Sequence, residues 1–309
     1  MRVAVSGAGG RLDRAVVAAL EEAPFTGPKG PTAWTRAEFD LDQPALIDGL
    51  IRRDRPEVII HSAAWTDVDA CARDPELARA RNADAVGIVA EAAAANGIDL
   101  VLVSTNEVFD GARSDGRGYA VDDPLNPINA YGASKAAGEI AASRAYSTPG
   151  AAGTAPGRSQ LAIVRTSWLF GPPGNDFPQK ILAAADRARD AGQPLKVVGD
   201  EIGSPTFTED LADAIVALLW SGSYSGVHHL LNSGHTSRAG WARELLRQVG
   251  RDDAIEEVPA STWPRASMAP LWAVLEPSQL PDGEPMPTWQ TAIAHYLPAL
   301  RRQSEAARG

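Results

Sequence analysis

The chain has 309 residues, 44% hydrophobic and 22% charged, which suits one large or two modest globular domains and excludes a disordered, collagen-like or coiled-coil protein. Lys and Arg total 29 against 39 Asp and Glu, a formal net charge of −10, so the surface as a whole repels nucleic acid and anionic membranes. The single cysteine, Cys71, rules out an internal disulfide framework and a cysteine-based zinc site, and no run of about 18 apolar residues offers a membrane span. The opening Met-Arg-Val-Ala-Val-Ser-Gly enters a strand pattern directly, without a signal-peptide core, so a soluble, cytoplasmic protein is expected.

Short apolar runs then alternate with helix-length segments. Strands are predicted at 3–6, 58–62, 100–104, 161–165 and 195–198, each apolar on consecutive positions, as in a parallel sheet covered on both faces. Helices are predicted at 14–22, 75–95, 131–145, 177–191 and 209–220, with a short one at 288–301. This alternation predicts a doubly wound α/β fold.

The first strand runs into Gly7-Ala8-Gly9-Gly10-Arg11-Leu12-Asp13. A glycine turn between strand and helix lets backbone N–H groups approach a pyrophosphate, and the helix N-terminus adds its positive dipole end. The turn is therefore read as a dinucleotide-binding loop. Its Gly7-x-x-Gly10 spacing resembles the G-x-x-G-x-x-G form of extended short-chain reductases. Asp13 stands where that form has its third glycine, and a carboxylate there is expected to weaken pyrophosphate binding. The second strand, at 32–36, ends in Thr35 and Arg36 rather than in an acid for a ribose 2′-hydroxyl. That points to NADPH, with NADH as the alternative.

The strand at 100–104 ends in Ser104-Thr105-Asn106-Glu107-Val108-Phe109-Asp110-Gly111, which places hydroxyls where α/β sheets bind ligands. Tyr131 and Lys135 follow at i and i+4, on one helix face. An ammonium beside a phenol is expected to lower the phenol pKa from about 10 towards working pH. Thr105, Tyr131 and Lys135 together form a trio suited to protonating a carbonyl oxygen as hydride arrives. Arginine predominates elsewhere in the chain, so the amine at 135 is a specific choice.

The Gly/Pro/Ala/Ser-rich stretch at 147–159 is expected to be a mobile surface loop. Trp168, just past a strand end, is expected to wall the substrate. Thr208 reads as an N-cap followed by the dipole-matching acids Glu209, Asp210 and Asp213. His228, His229 and His235 lack a carboxylate at ligand spacing, so no metal site is expected. Cys71 reads as a small buried apolar residue. Beyond 258, dense prolines with Trp263, Trp272 and Trp289 suggest an irregular cap, and Arg165 and Arg265 are candidates for a nucleotide diphosphate.

Taken together, Gly7-x-x-Gly10, His61–Asp69, 104–111, 131–139 (YGASKAAGE), 165–171 (RTSWLFG) and 203–208 (GSPTFT) resemble the dTDP-4-dehydrorhamnose reductase family of extended short-chain dehydrogenases. The resemblance implies a Rossmann-like doubly wound sheet with a smaller C-terminal substrate-binding cap. Residues 1–165 would be mainly the dinucleotide-binding domain, and 166–309 would complete the sheet and form most of the cap. It implies NADPH-dependent reduction of the 4-keto group of a nucleotide-diphospho-6-deoxysugar, with Thr105, Tyr131 and Lys135 catalytic. Gly7, Gly10, Arg11, Leu12, Asp40, Leu41, Ala63, Ala64 and Lys135 would surround the dinucleotide, beside Arg36. Val68, Asn106, Glu107 and Trp168 would face the sugar nucleotide. Dimers are common among such reductases, and a homodimer is left open.

Two departures stand out. The family's usual Ser-Thr-Asp-Tyr-Val-Phe is replaced here by Asn106 and Glu107, which resembles the Thr-Asp-Glu trio of sugar-nucleotide 4,6-dehydratases but lacks its acid. In the cap, Ala269-Pro270-Leu271-Trp272 replaces the usual Arg-Pro approach. An epimerase or dehydratase with tightly held NAD, and a non-catalytic regulatory NADP-binding subunit, are the alternative readings.

Overall fold

The computed structural model describes residues 1–147, 159–173 and 175–306. The expected loop at 147–159 lies, between its end residues, outside them. The central sheet holds β1 (Val3–Ser6), β2 (Thr32–Trp34), β3 (Val58–His61), β4 (Asp99–Thr105) and β5 (Leu161–Thr166). A sixth strand, Gly226–His229, completes it on the β5 side, and every pairing in it is parallel. In space the order is Gly226–His229, β5, β4, β3, β1, β2.

Alternation of side chains explains the consecutive apolar runs. Val3, Val5, Val58, Ile60, Val101 and Val103 pack on one face against Val16 and Leu20 of α1 (Arg11–Glu22) and against Leu211, Ile215 and Leu219 of the helix Thr208–Trp220. Ala4, Ile59, Leu100 and Leu102 pack on the other face, against α2 (Ile47–Asp54) and the helices Ala85–Ala95 and Ala130–Ser147. The fold is the doubly wound Rossmann-type α/β sheet expected. Among the described residues, no helix is long and apolar enough to cross a membrane.

The strand at Leu195–Val198 lies outside this sheet. It pairs in parallel with Ile255–Val258 beside a second core of Phe170, Phe207, Trp241, Ile293 and Tyr296. The predicted helix 75–95 is interrupted by a π-helical turn at Ala80–Asp84. Thr208 is not the N-cap: Phe207 holds that position, and the Thr208 hydroxyl is buried without a hydrogen-bond partner among the described residues.

β2 leads away from β1 on one side while β3 and β4 lie on the other, so a crevice opens at the carboxyl ends of β1 and β3. The candidate site residues converge there.

Candidate active site

A cleft of about 1010 Å³ runs along these strand ends, within the range of ligand-binding cavities. Gly7, Gly10, Arg11, Leu12, Arg36, Asp40, Leu41, Ala63, Ala64, Val68, Thr105, Asn106, Glu107, Tyr131, Lys135 and Trp168 all line it.

Gly7 has φ +79°, and a Cβ there would meet the Ala63 backbone at 3.0 Å, so only glycine lets β1 turn this tightly against the end of β3. α1 starts at Arg11 with Gly10 as N-cap and no side-chain cap, which leaves its first-turn N–H groups facing the cleft. Asp13 lies beneath this loop, almost fully buried, and its carboxylate accepts a short hydrogen bond from the Ser62 hydroxyl. Burial pushes its pKa up to about 8.

Tyr131 and Lys135 project from the helix Ala130–Ser147. Asn129 fixes that helix's start: its Oδ1 accepts from the Gly132 N–H at 2.8 Å, while its Nδ2 donates to Glu107 Oε2 at 2.7 Å and to the Met268 carbonyl at 2.9 Å. Gly132 is required because any Cβ would collide with the Glu107 backbone. This close approach brings Tyr131 beside the turn that follows Thr105. Thr105 Oγ1 donates to Asn106 Oδ1 and accepts from the Glu107 N–H, both at 3.2 Å.

The pKa direction corrects the sequence expectation. Burial and the neighbouring Glu107 charge push the Tyr131 phenol above its ordinary value, and contact with the Thr105 hydroxyl only partly offsets them. The Lys135 ammonium donates to the Val103 carbonyl at 2.8 Å, and burial lowers its pKa to about 8 against the opposing pull of Glu139. A phenol kept protonated is a proton donor ready to act.

At the far end of the cleft, Trp168 (φ +43°) stacks on Trp241 and lies 3.5 Å beneath the Arg238 guanidinium carbon. Arg238 Nε donates to Glu201 Oε2 at 3.3 Å, and burial lowers its pKa to about 10. Sequence reasoning missed Arg238. Its only signal was a helix start after Ser237, a common feature. Asn82 was also missed: it grips both backbone polar groups of Trp65 and so holds the 62–66 loop along the cleft.

Arg165 is a correction. It is buried, bidentate to Glu139 and bonded to the Val121 carbonyl, so it serves the interior rather than a diphosphate. Arg265 is half exposed, 3.7 Å from Asp69. Asn106, expected to face the sugar, donates its amide to the Ala273 carbonyl at 3.1 Å while it lines the cleft. Among the described residues no cluster is suited to a metal ion.

The family model described as "RmlD substrate binding domain" matches residues 1–302. A dTDP-4-dehydrorhamnose reductase of Streptomyces griseus is 33% identical over 96% of this chain and 93% of the relative. A dTDP-4-keto-6-deoxy-D-glucose reductase of Streptomyces niveus is 32% identical over 96% of each. The crystal structure of a Bacillus anthracis dTDP-4-dehydrorhamnose reductase in complex with NADP superposes with a TM-score of 0.83 at 29% identity, covering 96% of this chain and 99% of that one.

Proposed function

The chain belongs to the dTDP-4-dehydrorhamnose reductase (RmlD substrate binding domain) family, and we propose from this premise that it reduces the 4-keto group of a dTDP-linked 6-deoxyhexose with NADPH. The observation that carries the reading is the convergence of Thr105, Tyr131 and Lys135 in one cleft with an uncapped glycine-rich helix start. The residues fit a dinucleotide: the Gly7 turn has no room for a side chain, and Gly10 at the N-cap brings no side chain to the first-turn N–H groups of α1. When bound, reduced nicotinamide supplies the hydride to the carbonyl carbon.

The protein's own groups do the rest. Tyr131 gives its phenolic proton to the carbonyl oxygen, and Thr105 Oγ1 orients that oxygen. Lys135, one turn along the helix, holds positive charge near the phenolate left behind. Trp168 and Arg238 offer an aromatic face and a cation to the sugar nucleotide. Asn106 speaks against dehydration, because its amide is tied to Ala273 and has no acidic proton to give. The expected setting is the cytoplasm, where nucleotide sugars and reduced dinucleotides are available.

NADPH consumption with dTDP-4-dehydrorhamnose and with dTDP-4-keto-6-deoxy-D-glucose tests the reading; no consumption with either at any substrate concentration defeats it. Arg36 is exposed at the cleft edge beyond β2, which supports its reading as the partner of a 2′-phosphate. Arg36→Ala is expected to raise the KM for NADPH roughly 10-fold, the worth of one charge-assisted hydrogen bond, and to leave the KM for NADH unchanged. Equal changes for both cofactors would remove Arg36 from that role.

A further inference from the structure

Glu107 is left over from the reduction. It follows Thr105 by two residues in the turn at the end of β4 and lines the cleft beside Tyr131. Its Oε2 accepts from Asn129 at 2.7 Å, while Oε1 has no hydrogen-bond partner among the described residues. Burial raises its pKa from the ordinary value, which makes it a stronger base, while the Asn129 hydrogen bond and the Arg238 and Arg265 charges limit that rise and Glu201 adds to it. Its charge also reaches the Tyr131 phenol. An acid and a base thus line one cleft, close enough for their charges to interact.

We infer that Glu107 is a general base which removes and returns a proton on a carbon next to the keto group, giving the protein a proton-exchange activity that needs no NADPH. This rests on the reading that the cleft binds a nucleotide 4-keto sugar.

The chemistry balances without an oxidant or reductant. Glu107 takes the proton as the C–H bond breaks, and the electron pair moves into a carbon–carbon double bond. The carbonyl oxygen meanwhile takes the Tyr131 proton, giving an enol. Reversal re-forms the C–H bond with a proton exchanged from solvent at Glu107. Because Asn106 has no acidic proton to assist a departing hydroxyl, the enol returns to the ketone instead of losing water. A single carboxylate returns the proton to the face it came from, so configuration is retained.

The test is the full-length protein with dTDP-4-keto-6-deoxy-D-glucose in deuterated buffer without NADPH, followed by proton NMR. Deuterium is expected at one carbon flanking the ketone, faster than in the protein-free control and without epimerisation. Glu107→Gln, which keeps a hydrogen-bonding partner for Asn129, is expected to slow exchange at least about 100-fold. The ratio of exchange to NADPH-dependent reduction should fall with it. Exchange at the control rate while reduction proceeds, or exchange that persists in Glu107→Gln, overturns the inference alone. Absence of both exchange and reduction overturns it together with the proposed function.

Discussion

Replacing Tyr131 by phenylalanine is expected to lower kcat for keto-sugar reduction by roughly 10²–10⁴-fold while leaving the Kd for NADPH nearly unchanged. The substitution removes one oxygen from a ring whose position is set by the helix Ala130–Ser147, by Asn129 at its start and by the close approach at Gly132. The ring stays where it is and only the proton source is lost. Because burial and Glu107 keep the phenol protonated, the wild-type proton donor is charged with its proton throughout the neutral range. Stopped-flow reduction at saturating substrate, beside a fluorescence titration with NADPH, reads the two quantities separately. A kcat within a few-fold of wild type would show that another group delivers the proton.

That helix also shows what was legible in the sequence. Tyr131 and Lys135 could be placed on one face from their spacing alone, and Thr105 at a strand end from the buried run before it. Strands β1, β3 and β4 were readable because burial on both faces leaves an unbroken apolar stretch. Solvation was not readable. Spacing suggested that Lys135 would lower the phenol pKa, but the fold turns the ammonium to the Val103 carbonyl and strips water from both groups. Arg165 looked like a phosphate ligand because its partner Glu139 lies 26 positions away, and only the packing of β5 against the helix brings them together. The pairing of Leu195–Val198 with Ile255–Val258 was hidden for a related reason: the second strand is half polar, with Glu256 and Glu257 exposed. Asn82 and Arg238 act through contacts distant in sequence, which no local pattern announces, and the bonds from Asn129 to Glu107 and Met268 are equally remote although its helix-start bond to Gly132 is local.

Asp13→Asn is expected to stabilise the protein at alkaline pH and to flatten the pH dependence of NADPH binding. Unfolded, the Asp13 carboxyl releases its proton near its ordinary pKa of 3.8; folded, it holds the proton up to about 8. Between those values the folded chain binds a proton that the unfolded chain has lost. Stability therefore declines as pH rises from about 4 to about 8 and is level beyond, with a loss on the order of 5 kcal/mol from this group. The cause is burial, only partly offset by a hydrogen bond from the backbone N–H of Asp13 itself; Ser62 donates another, and no cation among the described residues pairs with the carboxyl. The neighbouring arginines of α1 are engaged elsewhere, Arg14 with the Gly9 carbonyl and Arg11 with the Pro173 carbonyl. A pyrophosphate on the glycine loop would add negative charge directly above the same carboxyl. NADPH and the ionised form of Asp13 then oppose each other, and NADPH affinity should fall about tenfold per pH unit above pH 8. Asparagine keeps the size and can still accept from Ser62, but it carries no charge at any pH. Urea melts and NADPH titrations at pH 6 and pH 9 for both proteins measure the two effects. If wild type and Asp13→Asn lose affinity in parallel between those pH values, the carboxyl under the glycine loop is not the group that titrates.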